Sequence, residues 1–303
     1  MFRTRAKLNS IGFRFSSSSP LSSGYAVSPV VELREYLLNP KDTNLYLNVA
    51  ADFSYLRNEI EPLRLFATPE TGLIVNKAIH LYYYEGGLEE RDRKKIFQGK
   101  SSQWQDYLRQ ARPCMQEQRS SIYVEAPLVY SDSRISGFKT EFLANESNDK
   151  MSSLYEIRRY QLRLGYDTVP KFLSFYSSGL PSKLNATGSD PTTSLCSVLY
   201  NEVGSLNEVI EIWRVRAKEI CLAAVFIHTN TLLYKPKMLV LKLFSFCSVI
   251  NASQHGGGLA AMAKSREAAR SALPWREAIG NIATLANSFS NTLVKPTSFS
   301  NWK

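Results

Sequence analysis

Acidic residues are missing from the first 31 positions of this 303-residue chain, and Glu32 is the first. The stretch MFRTRAKLNSIGFRFSSSSPLSSGYAVS carries Arg3, Arg5, Lys7 and Arg14 with many serines and no long apolar core. That composition argues against a secretory leader and predicts an organellar transit segment over residues 1–29, mitochondrial ahead of plastid; the bland alternative is a disordered tail with a chance excess of arginine, which would leave the protein cytoplasmic. Cysteine is scarce. Cys114, Cys196, Cys221 and Cys247 show no CxxC spacing, which argues against a disulfide framework or a zinc site. The three histidines, His80, His228 and His255, have no partner at metal-ligand spacing, so no metal is expected. No GxxxxGK[ST] loop or GxSxG elbow occurs. Gly256, Gly258 and Ala261 fit a loose dinucleotide pattern but read better as a turn before a helix, so no cofactor is expected either.

The net charge of +10 is unevenly spread. The acid-free start contributes +4, residues 215–254 another +4, and the remainder only +2, without a basic stripe interleaved with aromatics. Nucleic acid is therefore excluded as a partner. With 44% hydrophobic residues the chain has enough apolar material for two domains of ordinary size.

What is present is a duplication. NKAIHLYYYEGGLEERDRKKIFQGKSSQW, Asn76 to Trp104, returns as NEVIEIWR, Asn207 to Arg214, and resumes as HGGGLAAMAKSREAARSALPW, His255 to Trp275. Removing the 40 residues Val215 to Gln254 aligns the copies without a gap, pairing Tyr82 with Trp213, Tyr84 with His255 and Trp104 with Trp275. A second pair of matching segments lies upstream, where ELREY at 32–36 returns as EIRRY at 156–160.

The first copy reads as strand 31–36, helix 42–61, a strand at 65–67 or 72–75, strand 77–84, helix 88–97, a helical turn carrying Trp104, Tyr107 and Leu108, and strand 121–129. This is the β-α-β-β-α-β order of a ferredoxin-like unit. Residues 130–153 read as a linker. The second copy covers 154–296, with a helix at 169–177, an exposed loop or short helix over SGLPSKLNATGSDPTTS, strands at 195–200 and 208–214, a helix at 259–270 and a last strand near 291–295. Residues 297–303 form a tail. The expected class is α+β: two ferredoxin-like repeats packed sheet to sheet, each hiding the other's bare face.

One constellation invites chemistry. Glu32, Arg34 and Tyr36 share a face of the first strand, as do His80, Tyr82 and Tyr84 of the third, and Glu156, Arg158 and Tyr160 repeat the first set. Two readings are open: a cavity between the sheets in which a carboxylate, an arginine, a histidine and tyrosines move a proton or hold a small acidic ligand, or cross-strand pairs that satisfy one another at the interface.

The paired ELREY and EIRRY strands, NEVIEIW, the HGGGLAAMAKSREAAR helix and the tryptophans downstream resemble the NIPSNAP family over residues 30–129 and 154–296. The resemblance implies two domains of the dimeric α/β-barrel type, a mitochondrial address, and protein partners in mitochondria or in the trafficking and autophagy machinery. It implies no established catalysis. Peripheral membrane association and a homo-oligomer stay open. Residues 215–254 depart from the family and read as a retained intron or insertion. The alternative is a membrane anchor through residues 225–250, although the most apolar part, Met238 to Ile250, contains Lys242 and falls short of the roughly 20 residues a span needs.

Overall fold

VVELREYLL is apolar enough on alternate positions to be a strand, yet it is buried on both faces, so something must cover each side of it. In the computed structural model the described residues are 28–60, 62–127, 132–139, 151–218 and 256–303, with the backbone alone described at 58–60, 151, 152, 216–218 and 256–261. The first half runs β1 (Val30–Leu38), α1 (Thr43–Asp52), α2 (Ser54–Ile60), β2 (Leu63–Thr71), β3 (Lys77–Tyr84), α3 (Gly87–Lys100), α4 (Ser102–Ala111) and β4 (Met115–Glu125). The second runs β5 (Met151–Leu162), α5 (Thr168–Leu184), β6 (Ser194–Val203), β7 (Glu208–Lys218), α6 (Gly256–Ser271), α7 (Leu273–Leu285) and β8 (Ala286–Pro296).

All pairings between these strands are antiparallel, and the order β1-β3-β2-β8-β5-β7-β6-β4 closes on itself. The α+β class and the antiparallel sheet stand. The stacked pair of sheets does not: the halves are joined edge to edge, β2 to β8 through Ala67–Pro296 and Pro69–Val294, and β4 to β6 through Val124–Tyr200 and Glu125–Leu199. Closure satisfies the backbone groups that two separate sheets would leave open at their edges.

One apolar cluster takes residues from every strand, including Leu33, Leu65, Leu81, Tyr123, Ile157, Leu199, Ile212 and Val294, and so fills the barrel interior. An eight-stranded barrel has room inside for little more than its own side chains. Two further clusters lie between the barrel and the helices, one under α1, α2 and α4, the other under α5, α6 and α7. Because successive side chains alternate, Leu33 and Ile157 point inward while Glu32, Arg34, Tyr36, Glu156, Arg158 and Tyr160 sit on the outer, helix-covered face. The candidate residues therefore line no cavity between sheets.

Several boundaries differ from the sequence reading for local reasons. The expected helix 42–61 is two helices meeting at Phe53, and residue 61 lies outside the described residues. The second strand ends in a turn at Gly72, so 72–75 belongs to the hairpin. The fourth strand starts at Met115, six residues early, because it pairs along the length of β1. The segment SGLPSKL is helical and completes α5. Gly179 allows this, since a β-carbon there would stand 2.5 Å from that of Ala278, and this close approach seats α5 on α7. Val215 to Lys218, the first residues of the interruption, extend β7 against Met151 to Leu154. Residues 297–303 fold back: Trp302 is fully buried in the interior cluster and its backbone N–H donates to the Arg64 carbonyl at 2.8 Å. Residues 1–27, His228, His255 and the proposed anchor at 225–250 lie outside the described residues. Among the described residues no helix is long and apolar enough to cross a membrane.

The halves are matched by charge. Within ELREY and EIRRY the only reversal of charge is Glu35 against Arg159, and these two equivalent positions meet, Arg159 Nη2 to Glu35 Oε2 at 2.9 Å. Glu208 lies 3.8 Å from Arg159 and accepts a hydrogen bond from Tyr123. Two first halves would place glutamates at this junction and two second halves arginines, so the pair favours closure of unlike halves. In a double-mutant cycle of Glu35→Gln and Arg159→Met, denaturant unfolding is expected to give a coupling of about 0.5–3 kcal/mol. Strictly additive losses would show that the pair does not join the halves.

Candidate functional site

A carboxylate on the outer face of the barrel becomes buried once helices close over it, and burial of an unpaired charge costs several kcal/mol. Each half solves this in the same way. Glu32, 1% exposed, accepts from Arg34 at 2.9 and 3.1 Å, from Ser120 Oγ at 2.7 Å, from Tyr84 OH at 3.1 Å and from Arg91 on α3 at 3.2 and 3.3 Å. Burial works against its charge, but Arg34, Ser120 and Arg91 outweigh burial and hold its pKa below the usual carboxylate value. Glu156, equally buried, accepts from Arg158 at 2.9 Å through both oxygens, from Asn291 at 3.2 Å and from Arg266 on α6. Against the same burial penalty, Arg158 and Arg266 bring it down to about 2.

The two clusters correspond position by position. Arg34 and Arg158 are equivalent, Ser120 and Asn291 occupy equivalent places in β4 and β8, and Lys95, 3.8 Å from Glu32, matches Arg266 in the aligned helices. Glu211 stands where the first half has His80, and Trp213 where it has Tyr82. The tryptophans that open the last helix of each half, Trp104 and Trp275, are both buried.

Around the cation next to these tryptophans the halves part. In the first half Arg57 of α2, 1% exposed, lies over Trp104 at 5.4 Å, donates to Tyr82 OH at 2.7 Å and donates also to Tyr107 OH. Tyr82 OH is 3.0 Å from His80 Nδ1, and Tyr46 OH is 3.4 Å from its Nε2. Burial, reinforced by Arg57 and Arg34, pushes the His80 pKa well down, which keeps the ring neutral. Tyr36 and Phe66 rings at 4.7 and 3.9 Å from His80 occupy the surrounding space. In this half Glu32 pairs with Arg34, and His80 and Tyr82 bond to each other, to Tyr46 and to Arg57 in a packed polar network.

In the second half Lys183 of α5 takes the place of Arg57, with its Nζ 3.7 Å from the centre of Trp213 and 4.5 Å from that of Trp275. The two hydroxyls that serve Arg57 are gone: Tyr82 is replaced by Trp213 and Tyr107 by Ala278. Trp213 Nε1 donates to Glu211 at 2.6 Å and offers no acceptor. Glu211, fully buried, also accepts from Tyr160 OH at 2.5 Å and from Arg158 at 3.4 Å, and Lys183 approaches it only to 3.9 Å. Lys183 Nζ is sealed from water and has no hydrogen-bond partner among the described residues. Burial, then the charge of Arg158, push its pKa well below the usual lysine value, with Glu211 opposing.

Lys183 lies on the wall of a cavity of about 730 Å³ bounded by β5, β7 and β8 on one side and α5, α6 and α7 on the other. Trp213, Trp275, Met262 and Ile279 make it largely apolar, and Thr193, whose buried Oγ1 also lacks a partner, is at its wall. Arg270 and Phe289, both exposed, mark its rim. Of the sequence candidates, Glu156, Arg158 and Tyr160 border this cavity, whereas Glu32, Arg34, Tyr36, His80 and Tyr82 belong to the filled first half. Sequence reasoning missed Lys183, Thr193, Glu211, Arg266 and Asn291. The usable signal was the replacement of Tyr82 and Tyr107 by residues that cannot accept a hydrogen bond.

No protein family profile and no curated protein matches the sequence. Similar folds occur among solved structures. A Fusobacterium nucleatum protein described provisionally as a monooxygenase is 10% identical and covers 90% of this chain and 94% of its own, with a TM-score of 0.49. A NIPSNAP-like domain protein from Burkholderia xenovorans is 24% identical over 35% of this chain and 90% of its own, TM-score 0.31. A NIPSNAP family protein of unknown function from Agrobacterium tumefaciens is 19% identical over 34% of this chain and 92% of its own, TM-score 0.31. These are likenesses of backbone architecture.

Proposed function

We propose that this chain is a NIPSNAP-like barrel made from a duplicated ferredoxin-like unit, and that it binds a small molecule in the cavity of its second half. The observation that carries the reading is the largely apolar 730 Å³ space itself, on whose wall lies Lys183, a buried amine with no hydrogen-bond partner among the described residues, where the equivalent Arg57 donates to two tyrosine hydroxyls. Leaving a buried donor unmade costs about 1–3 kcal/mol, a cost that an entering acceptor recovers once the Lys183 side chain turns its covered Nζ into the space. The ligand that fits has an apolar, flat body for the faces of Trp213 and Trp275 and an oxygen that accepts from Lys183. A cavity of this size with apolar walls and a few convergent polar groups is of the usual kind for small-molecule sites.

2-Naphthoate is a suitable probe because its carboxylate and ring carry both features. It should change tryptophan fluorescence and raise the melting temperature, and Lys183→Met should weaken it about tenfold, the equivalent of one lost charge-assisted hydrogen bond of roughly 1.4 kcal/mol. Ala283→Trp, at an exposed point of the cavity wall, should block it without unfolding the barrel. Equal affinity in all three proteins would place the ligand elsewhere and end this reading.

A mitochondrial address and protein partners in trafficking or autophagy form a second proposal, supported by the acid-free residues 1–29 and by the family resemblance. Import by isolated mitochondria of a reporter carrying residues 1–29 is the expected result, and exclusion of that reporter would remove the address.

A further inference from the structure

At the barrel end where β1, β2, β5 and β6 stop, β4 outruns the strand beside it. β6 pairs only with residues 122–125, so residues 117–121 are bonded to β1 on one side and to no strand among the described residues on the other. Residues 116–120 are all exposed. The Leu38 N–H donates to Asn76 O beside β3, and the Asn39 N–H donates to Cys114 O on the β4 side. Odd residues of β1 therefore serve β4. Because Glu35 faces Arg119 and Leu37 faces Glu117, the N–H and C=O of Gln118 and Ser120 point to the open side. The loops next to this edge are apolar. Gly204 of the β6–β7 hairpin stands against Ser121, and the hairpin carries Val203 and Leu206, 55% and 67% exposed. Asn207 ties it to the carbonyls of Arg163 and Gly165, so Leu164 and the fully exposed Tyr166 continue the patch.

We infer that this edge and patch receive a second copy of the chain, with β4 pairing antiparallel to β4 of the partner about Gln118. Charges on an open edge usually repel a second strand. Here their order selects one. Glu117 and Arg119 lie symmetrically about Gln118, so antiparallel pairing sets Glu117 opposite the partner's Arg119 and Arg119 opposite the partner's Glu117, in the close, non-hydrogen-bonded type of pair. The two residues already bond to each other within the strand at 2.5 Å, and the partner extends that contact into a row of four alternating charges. A slip of two residues either way would oppose two glutamates or two arginines at the centre, and a slip of one would turn every side chain to the wrong face. A bulge opposite Leu37 and Leu38 keeps the regular ladder short, so the apolar loops supply most of the covered area. The equivalent edge of β8, residues 287–291, carries no charge to set a register and is closed off sooner: a β-carbon on Gly72 would stand 2.4 Å from the Asn291 carbonyl oxygen. A membrane would meet the same loops but would not read the order of charge along β4.

Sedimentation equilibrium of the full chain over a concentration series should show monomer and dimer in exchange. Glu117→Arg and Arg119→Glu, both at exposed positions, should each weaken self-association at least about tenfold, because like charges then face each other across the strands. Mixing the two single variants should restore a dimer, since every facing pair is then opposite in sign, and the variant carrying both changes should dimerise like the native chain. Gln118→Cys should form an intermolecular disulfide at position 118, where the facing α-carbons of such a pair stand about 5.5 Å apart, inside the roughly 4.4–6.8 Å that a disulfide spans. A monomer at every concentration overturns the proposal, as does a dimer that both single variants leave intact or that mixing fails to restore. Binding of a monomeric native chain to phosphatidylcholine vesicles would give the patch to a membrane and overturn it as well.

Discussion

A glutamate beneath the helices, two residues before an arginine, is the constraint on which the rest of this structure depends. Glu32 and Glu156 sit on the outer face of the barrel, at positions that must be buried if α3 and α6 are to lie on the sheet. Each carboxylate fixes an arginine on its own strand, a cation on the covering helix and a polar side chain on the adjacent last strand of its half. Because ionic partners out of water are stabilising only when every lone pair is used, this set determines how the helix is placed over the sheet. The inner faces of the same strands supply the apolar interior, so one alternating segment organises two layers.

The same frame explains how one half can be structural and the other open. Arg57 is anchored by two tyrosine hydroxyls and surrounded by rings. Trp213 and Ala278 remove both acceptors in the second half, and Trp213 turns its one donor towards Glu211. Lys183 is left without a hydrogen bond among the described residues, 3.9 Å from Glu211 and between two indole rings. The two hydrogen bonds that Arg57 makes in the first half have no counterpart at Lys183, and a local rule broken in this way is common at functional sites.

Much of the architecture was legible in the sequence. The period-two pattern of ELREY and EIRRY marked the first strands, and the gapless match of Asn76–Trp104 to its divided copy marked the equivalent elements. The orientation of the strands was not legible, because Val31 and Leu33 on one side and Tyr36 on the other are all compatible with burial, and only the closed barrel decides which side is interior. Glycine, proline and serine around Lys183 suggested a loop, whereas packing of Gly179 on Ala278 makes the segment helical. Trp302 was set in a tail because nothing local reveals that the open end of the barrel needs a plug. At the site, Glu156, Arg158 and Tyr160 were found from the repeat, while Lys183 required knowing which helix faces Trp213.

On the proposal above, the second half keeps a ligand site because its lysine lacks the acceptor that the first half provides. Trp213→Tyr restores that acceptor: the new hydroxyl can donate to Glu211 and accept from Lys183, as Tyr82 accepts from Arg57. Denaturant unfolding and 2-naphthoate titration of this variant should show a gain in stability of about 0.5–1.5 kcal/mol, the net worth of one hydrogen bond, together with weaker binding. Unchanged stability with undiminished binding would contradict the account.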